Sequence, residues 1–118
     1  MKESPIFIKS YEMMVWLMGR TGKFPKNQRF LMAKRMEETA LDFFRLLNEA
    51  ARSRGEGKQH ALARADLLMA DLKFYNRLCK DLKLLAFNQY EHLAGLLDEL
   101  GKLLGGWKKG LEKGSGSA

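Results

Sequence analysis

Residues able to do chemistry are scarce in this sequence: one cysteine, Cys79, and two histidines, His60 and His92, among 118 residues. A cysteine nucleophile needs a neighbouring base and an exposed, electropositive setting. Cys79 instead falls at alternating spacings of three and four with Leu72, Tyr75 and Leu82, which predicts a small apolar thiol in a core. Helical bundles hold di-iron sites with inward carboxylates and Glu-x-x-His pairs. The sequence has no Glu-x-x-His, and no acidic residue occupies its apolar seams. No phosphate-binding loop, dinucleotide fingerprint or nucleophile elbow is present, and the glycines of "GKLLGG" sit within a helix-period run. These observations point away from an enzyme, a metal centre and any cofactor.

Charge carries the stronger signal. Lys and Arg number 21 against 14 Asp and Glu, a net charge of +7, and such an excess attracts polyanions through counterion release. Two clusters concentrate it. Lys73, Arg77 and Lys80, spaced by four and three, are expected on the helix face opposite the Leu72, Tyr75 and Cys79 seam, with Lys83 beside them and Asp81 the only nearby acid. Arg20, Lys23, Lys26 and Arg29 crowd a connection. Such patches contact phosphates without reading bases. No aromatic residue is interleaved with the first, and Phe74 is expected to face partly sideways, so stacking on single strands is not indicated. The competing reading is a solvated basic surface with no nucleic-acid role.

The elements that position these cations follow from the helical period. A first helix over about 4–20 carries Phe7, Tyr11, Met14, Trp16, Leu17 and Met18. "GKFPKNQR" breaks the chain at Pro25, with Asn27 available as the next cap. A second helix over about 27–53 has the seam Ala33, Met36, Ala40, Phe43, Leu47 and Ala50. "RGEG" is the clearest turn. A third helix over about 58–85 has Ala61, Ala65, Leu68, Leu72, Tyr75, Cys79 and Leu82 in line. A fourth begins after "AFN", with Asn88 and Glu91 spaced as a capping box, and its seam is Tyr90, Leu93, Leu97, Leu100, Leu104, Trp107 and Leu111. The fold class is therefore all-α, an antiparallel up-down four-helix bundle.

The fourth helix accepts several glycines, each weaker than alanine by about 1 kcal/mol. Ala94, Asp98, Gly101 and Gly105 form a narrow stripe beside its seam. Small residues there suit the close approach of another backbone, from the same bundle or from a second copy, so Ala94, Gly101 and Gly105 are the expected helix or subunit contact. Residues 1–110 are expected to form the single domain. Residues 111–118, ending in "GSGSA", read as a disordered tail or linker remnant. A lone cysteine, no signal peptide and no apolar run of about 20 residues point to a soluble protein of the cytoplasm, without membrane contact.

Three stretches carry a family likeness: "KFPKNQRFLMAKRMEETALDFFRLLNEA", "LKFYNRLCKDLKLL" and "QYEHLAGLLDELGKLLGGWKK". Covering most of the chain, they resemble the accessory variability determinant (Avd) proteins of diversity-generating retroelements, most specifically in "FPK", "QYEHL" and "GGW". Small four-helix proteins encoded in intervening sequences of bacterial 23S rRNA genes share the general pattern. The resemblance implies a non-enzymatic bundle assembled as a barrel-shaped homopentamer. It also implies partners: the retroelement's reverse transcriptase and its template RNA or the DNA made from it. The cations at Lys73, Arg77, Lys80 and Lys83, and at Arg20, Lys23, Lys26 and Arg29, are the positions the likeness offers for those contacts. Two other roles stay open, the intervening-sequence type and a purely structural oligomerisation module.

Overall fold

The computed structural model describes residues 4–114 and contains four helices, with no strand among the described residues. Helix α1 is Pro5–Thr21, with Pro5 in the first turn, where a missing N–H costs nothing. Helix α2 opens with one α-helical turn, Lys26–Gln28, passes through a π-helical segment, Arg29–Ala33, and continues as an α-helix over Lys34–Arg52. Helices α3 and α4 are Gly55–Asp81 and Phe87–Gly114. Helix α2 packs on α1 and α3, and α4 packs on α3 and α1, so α1 and α3 occupy diagonal corners. The up-down order brings the α1–α2 and α3–α4 connections to one end of the bundle, the two-turn end.

The expected seams are the core. Met36, Ala40, Phe43, Leu47 and Ala50 of α2 share one core with Leu93, Leu97, Leu100 and Leu104 of α4, all essentially inaccessible. Burying each large side chain stabilises by about 1.5–3 kcal/mol. In α3 the buried set is broader than one stripe: Leu62, Met69 and Asn76 join Ala61, Ala65, Leu72 and Cys79, because this helix is packed from two sides. Tyr75 and Leu68 are only partly buried. Trp107 closes the far end by packing on Phe7, whose ring meets Phe44 edge-on at 5.9 Å.

Helix ends depart from the sequence expectations. Asn27 does not cap α2; Pro25 holds the N-cap position and Asn27 lies in the first turn. Within "RGEG" only Gly55 has positive φ, 56°, and α3 starts there, with Gly57 already helical. Helix α3 stops at Asp81, so Leu82 leaves the seam and is exposed. The capping box at Asn88 and Glu91 is shifted: the Ala86 N–H donates to Gln89 Oε1 at 2.9 Å, three residues on. The chain stays helical past residue 110 to Gly114, and Leu111 packs against the core. The final "SGSA" of the expected tail lies outside the described residues.

Candidate nucleic-acid interface

Helix pairing decides where the cations stand. Arg20 lies in the last turn of α1 and Lys23 just beyond its end, and Lys26 and Arg29 open α2. Arg77 and Lys80 close α3, with Lys83 in the turn after it. The two clusters, separate in sequence, therefore gather at the two-turn end. Lys73 lies roughly 10 Å up α3 from Lys80 at 1.5 Å per residue.

The α1–α2 connection holds its four cations on a fixed backbone. The Lys23 and Phe24 N–H groups donate to the Arg20 and Thr21 carbonyls at 3.0 and 3.1 Å. Phe24 plugs into the core, and the Nε of Arg29 donates to its carbonyl at 3.0 Å. Thr21 is buried and donates to the Glu37 carboxylate, which ties α1 to α2. Among the described residues none of Arg20, Lys23, Lys26 and Arg29 has a carboxylate within ion-pair distance. The Nε of Arg20 is buried without a hydrogen-bond partner among the described residues.

The α3 cluster differs from its sequence expectation, which had Asp81 as its only acid. Lys73 turns toward α4 and reaches Asp98 at 3.6 Å, so it does not stand opposite the seam. Asp81 lies 4.0 Å from Arg77 and 3.5 Å from Lys80. The Lys80 ammonium also sits 4.6 Å over the Tyr90 ring, and its side chain is the least exposed of the three. Exposed pairs of this kind contribute about 0–1 kcal/mol, so a phosphate can displace the carboxylate from Lys73 or Arg77. Lys80, held by a ring and a carboxylate together, is the most committed. The order of the two patches thus reverses: the uncommitted charge is at the α1–α2 connection.

Lys83 stands apart. Its φ is 64°, the left-handed region that glycine normally fills at a helix end. Its N–H donates to the Lys80 carbonyl at 2.9 Å, and the Leu84 N–H donates to the Cys79 carbonyl at 2.8 Å, which is a Schellman closure of α3. A lysine in that conformation costs roughly 1–2 kcal/mol, and among the described residues it has no ion pair.

The small-residue stripe does not serve a close approach inside the chain. A Cβ built on Gly101 would meet only the Lys73 ammonium, at 3.8 Å, and one on Gly105 would meet nothing within 4 Å. Ala94 is half-buried beside them. Two other faces were hidden from the sequence reading. On α1, Ile8, Tyr11, Val15 and Met18 step by three and four along a solvent-facing stripe; on α3, Ala63, Leu67, Ala70 and Phe74 do the same. Each is a second apolar face on a helix that already buries one, and a single-face reading merges the two.

The remaining chemistry is quiet. Cys79 is buried, its thiol lies 3.5 Å from the Met36 sulfur, and burial pushes its pKa up to about 11. Among the described residues no cluster of His, Cys, Asp and Glu could hold a metal ion, and no helix is long and apolar enough to cross a membrane. A family model described as bAvd-like matches residues 6–111 of the chain. No curated protein matches it significantly.

Proposed function

The chain belongs to the bAvd-like family, and on that premise we propose that it is a non-catalytic accessory protein of a diversity-generating retroelement. In this reading it binds the reverse transcriptase and the template RNA, or DNA, through its basic surface and supports mutagenic cDNA synthesis in the cytoplasm. The observation that carries the reading is the cluster of Arg20, Lys23, Lys26 and Arg29, uncommitted to any described carboxylate and held on a hydrogen-bonded turn. The backbone that carries these cations is already ordered, so only side-chain freedom is lost when phosphates arrive.

A homopentamer is part of the proposal. The apolar stripes on α1 and α3 support it, because they are different surfaces at diagonal corners of the bundle. A head-to-tail contact between unlike surfaces generates a closed ring when the rotation per subunit closes. These stripes replace Ala94, Gly101 and Gly105 as the preferred subunit contact.

Binding of a labelled template RNA across a salt series tests the function. Log affinity is expected to fall by about 0.7 per phosphate contact per decade of salt on a single strand, or about 0.9 on duplex DNA. Reversing Arg20, Lys23, Lys26 and Arg29 to glutamate is expected to abolish binding and co-purification of the reverse transcriptase. Unchanged binding by that variant would overturn the reading.

A further inference from the structure

The two-turn end carries more than charge. Phe30 is 80% exposed and Phe87 62%, and Leu31 and Leu82 are exposed beside them. Leaving a Phe in water forgoes the gain of burying its ring, and several large apolar side chains on one end of a small bundle mark a contact surface. The local structure explains their position. The run Phe30-Leu31-Met32-Ala33 cannot all face the core, and the π-helical segment over these residues turns Met32 and Ala33 inward while Phe30 and Leu31 stay out. Phe87 is the first residue of α4, braced against Tyr90 with ring centroids 6.0 Å apart, and Tyr90 in turn lies under the Lys80 ammonium.

Phe30 on α2 and Phe87 on α4 stand at diagonal corners of this end. Arg20 and Lys23 belong to the α1 corner between them, and Lys83 to the α3 corner. A chain crossing the end from one ring to the other must pass cations on either route. Planar rings separated by uncommitted cations match a strand whose bases are free to stack and whose phosphates lie between them. A duplex hides its base faces and would gain nothing from the rings. An apolar protein surface would have to neutralise several cations at once.

From this we infer that the two-turn end takes unpaired bases of single-stranded nucleic acid, stacked on Phe30 and Phe87, with Arg20, Lys23, Lys26, Arg29 and Lys83 along the phosphates. This deepens the nucleic-acid reading and rests on it. It also reverses the sequence expectation that stacking is absent, which considered only the α3 cluster.

Fluorescence anisotropy with the full chain tests the inference, using four labelled probes of about a dozen nucleotides: single-stranded RNA, single-stranded DNA of the same sequence, the corresponding duplex, and an abasic strand with the same phosphates. The intact single strands are expected to bind roughly fivefold or more tighter than the abasic strand, the lower edge of what one stacked base contributes. Phe30→Ala and Phe87→Ala are each expected to remove about half of that difference on a logarithmic scale, and Phe30→Tyr to keep it. Both positions are exposed, and circular dichroism verifies that the variants remain folded. Equal affinity for intact and abasic strands, or a preference for duplex, overturns this inference and leaves the charge-based reading standing. No binding of any probe at low salt overturns both. Loss of reverse-transcriptase co-purification by Phe30→Ala with RNA affinity unchanged assigns the end to the protein partner and also overturns the inference.

Discussion

The side-chain amide of Asn76 donates from Nδ2 to the Tyr90 carbonyl at 3.1 Å, crossing from α3 to the first turn of α4. It is a buried polar residue within an otherwise apolar layer, and its Oδ1 has no partner among the described residues. An orphaned buried acceptor costs about 1–3 kcal/mol.

Asn76→Leu is therefore expected to raise unfolding free energy by on the order of 1 kcal/mol, measured by urea denaturation. Hydrogen exchange in the first turn of α4 is expected to speed up, because the contact that sets its register is gone. Asn76→Asp introduces an unpaired buried charge and is expected to destabilise by about 3 kcal/mol or more. A stability loss in the leucine variant would show that the bond from Nδ2 to the Tyr90 carbonyl outweighs the cost of the orphaned Oδ1 or that leucine does not fit the site.

Lys83 separates stability from function. Replacing it by glycine relieves the left-handed backbone, so Lys83→Gly is expected to stabilise by about 1 kcal/mol. The same change removes a cation and is expected to weaken RNA binding, reducing the salt slope by about one contact. Thermal denaturation and anisotropy on one sample measure both. A variant that gains stability with unaltered affinity would place Lys83 outside the interface.

The thiol of Cys79 makes a pH prediction. Its folded pKa is raised by burial to about 11 from an ordinary value of 9.0, so the native state holds its proton more tightly than the unfolded chain. The resulting stabilisation is full below about pH 9 and is lost as pH rises toward 11. The native protein is also expected to resist a thiol reagent at pH 8, with reaction following unfolding. Fast labelling of folded protein would contradict the burial.

The α1 and α3 stripes and the glycine stripe give opposite expectations for assembly. Tyr11→Glu with Val15→Glu is expected to reduce the mass in solution, measured by light scattering, with monomer stability changed by no more than about 0.5 kcal/mol, as for surface substitutions. Gly105→Ala meets open space within the chain; it is expected to leave the mass unchanged and to stabilise α4 by about 1 kcal/mol. Dissociation by Gly105→Ala would return the subunit contact to α4.

Helix number, order and the main seams were legible in the chain, because one apolar stripe at the helical period is enough to orient a helix. Met36, Phe43, Leu97 and Leu104 were readable as core for that reason. Asn76 was not, since an amide between apolar positions carries no sign of whether it faces in or out. Helix ends shifted by a few residues wherever the closing device was unusual: Lys83 took a place that glycine normally holds, and Gln89 took the role expected of Glu91.

The residue order alone determined the two basic clusters, the scarcity of reactive groups and the four-helix architecture, because charge, composition and periodicity are local properties. The contacts of Asp81 with Arg77 and Lys80 are local to the end of α3. Only the tertiary structure decided that Asp98 of α4 meets Lys73 while, among the described residues, Arg20, Lys23, Lys26 and Arg29 have no ion-pair partner. The same holds for the placing of Phe30 and Phe87 at the cationic end. The physical reason is antiparallel packing, which brings together side chains far apart in sequence, and ion pairs and exposed apolar surface depend on those neighbours.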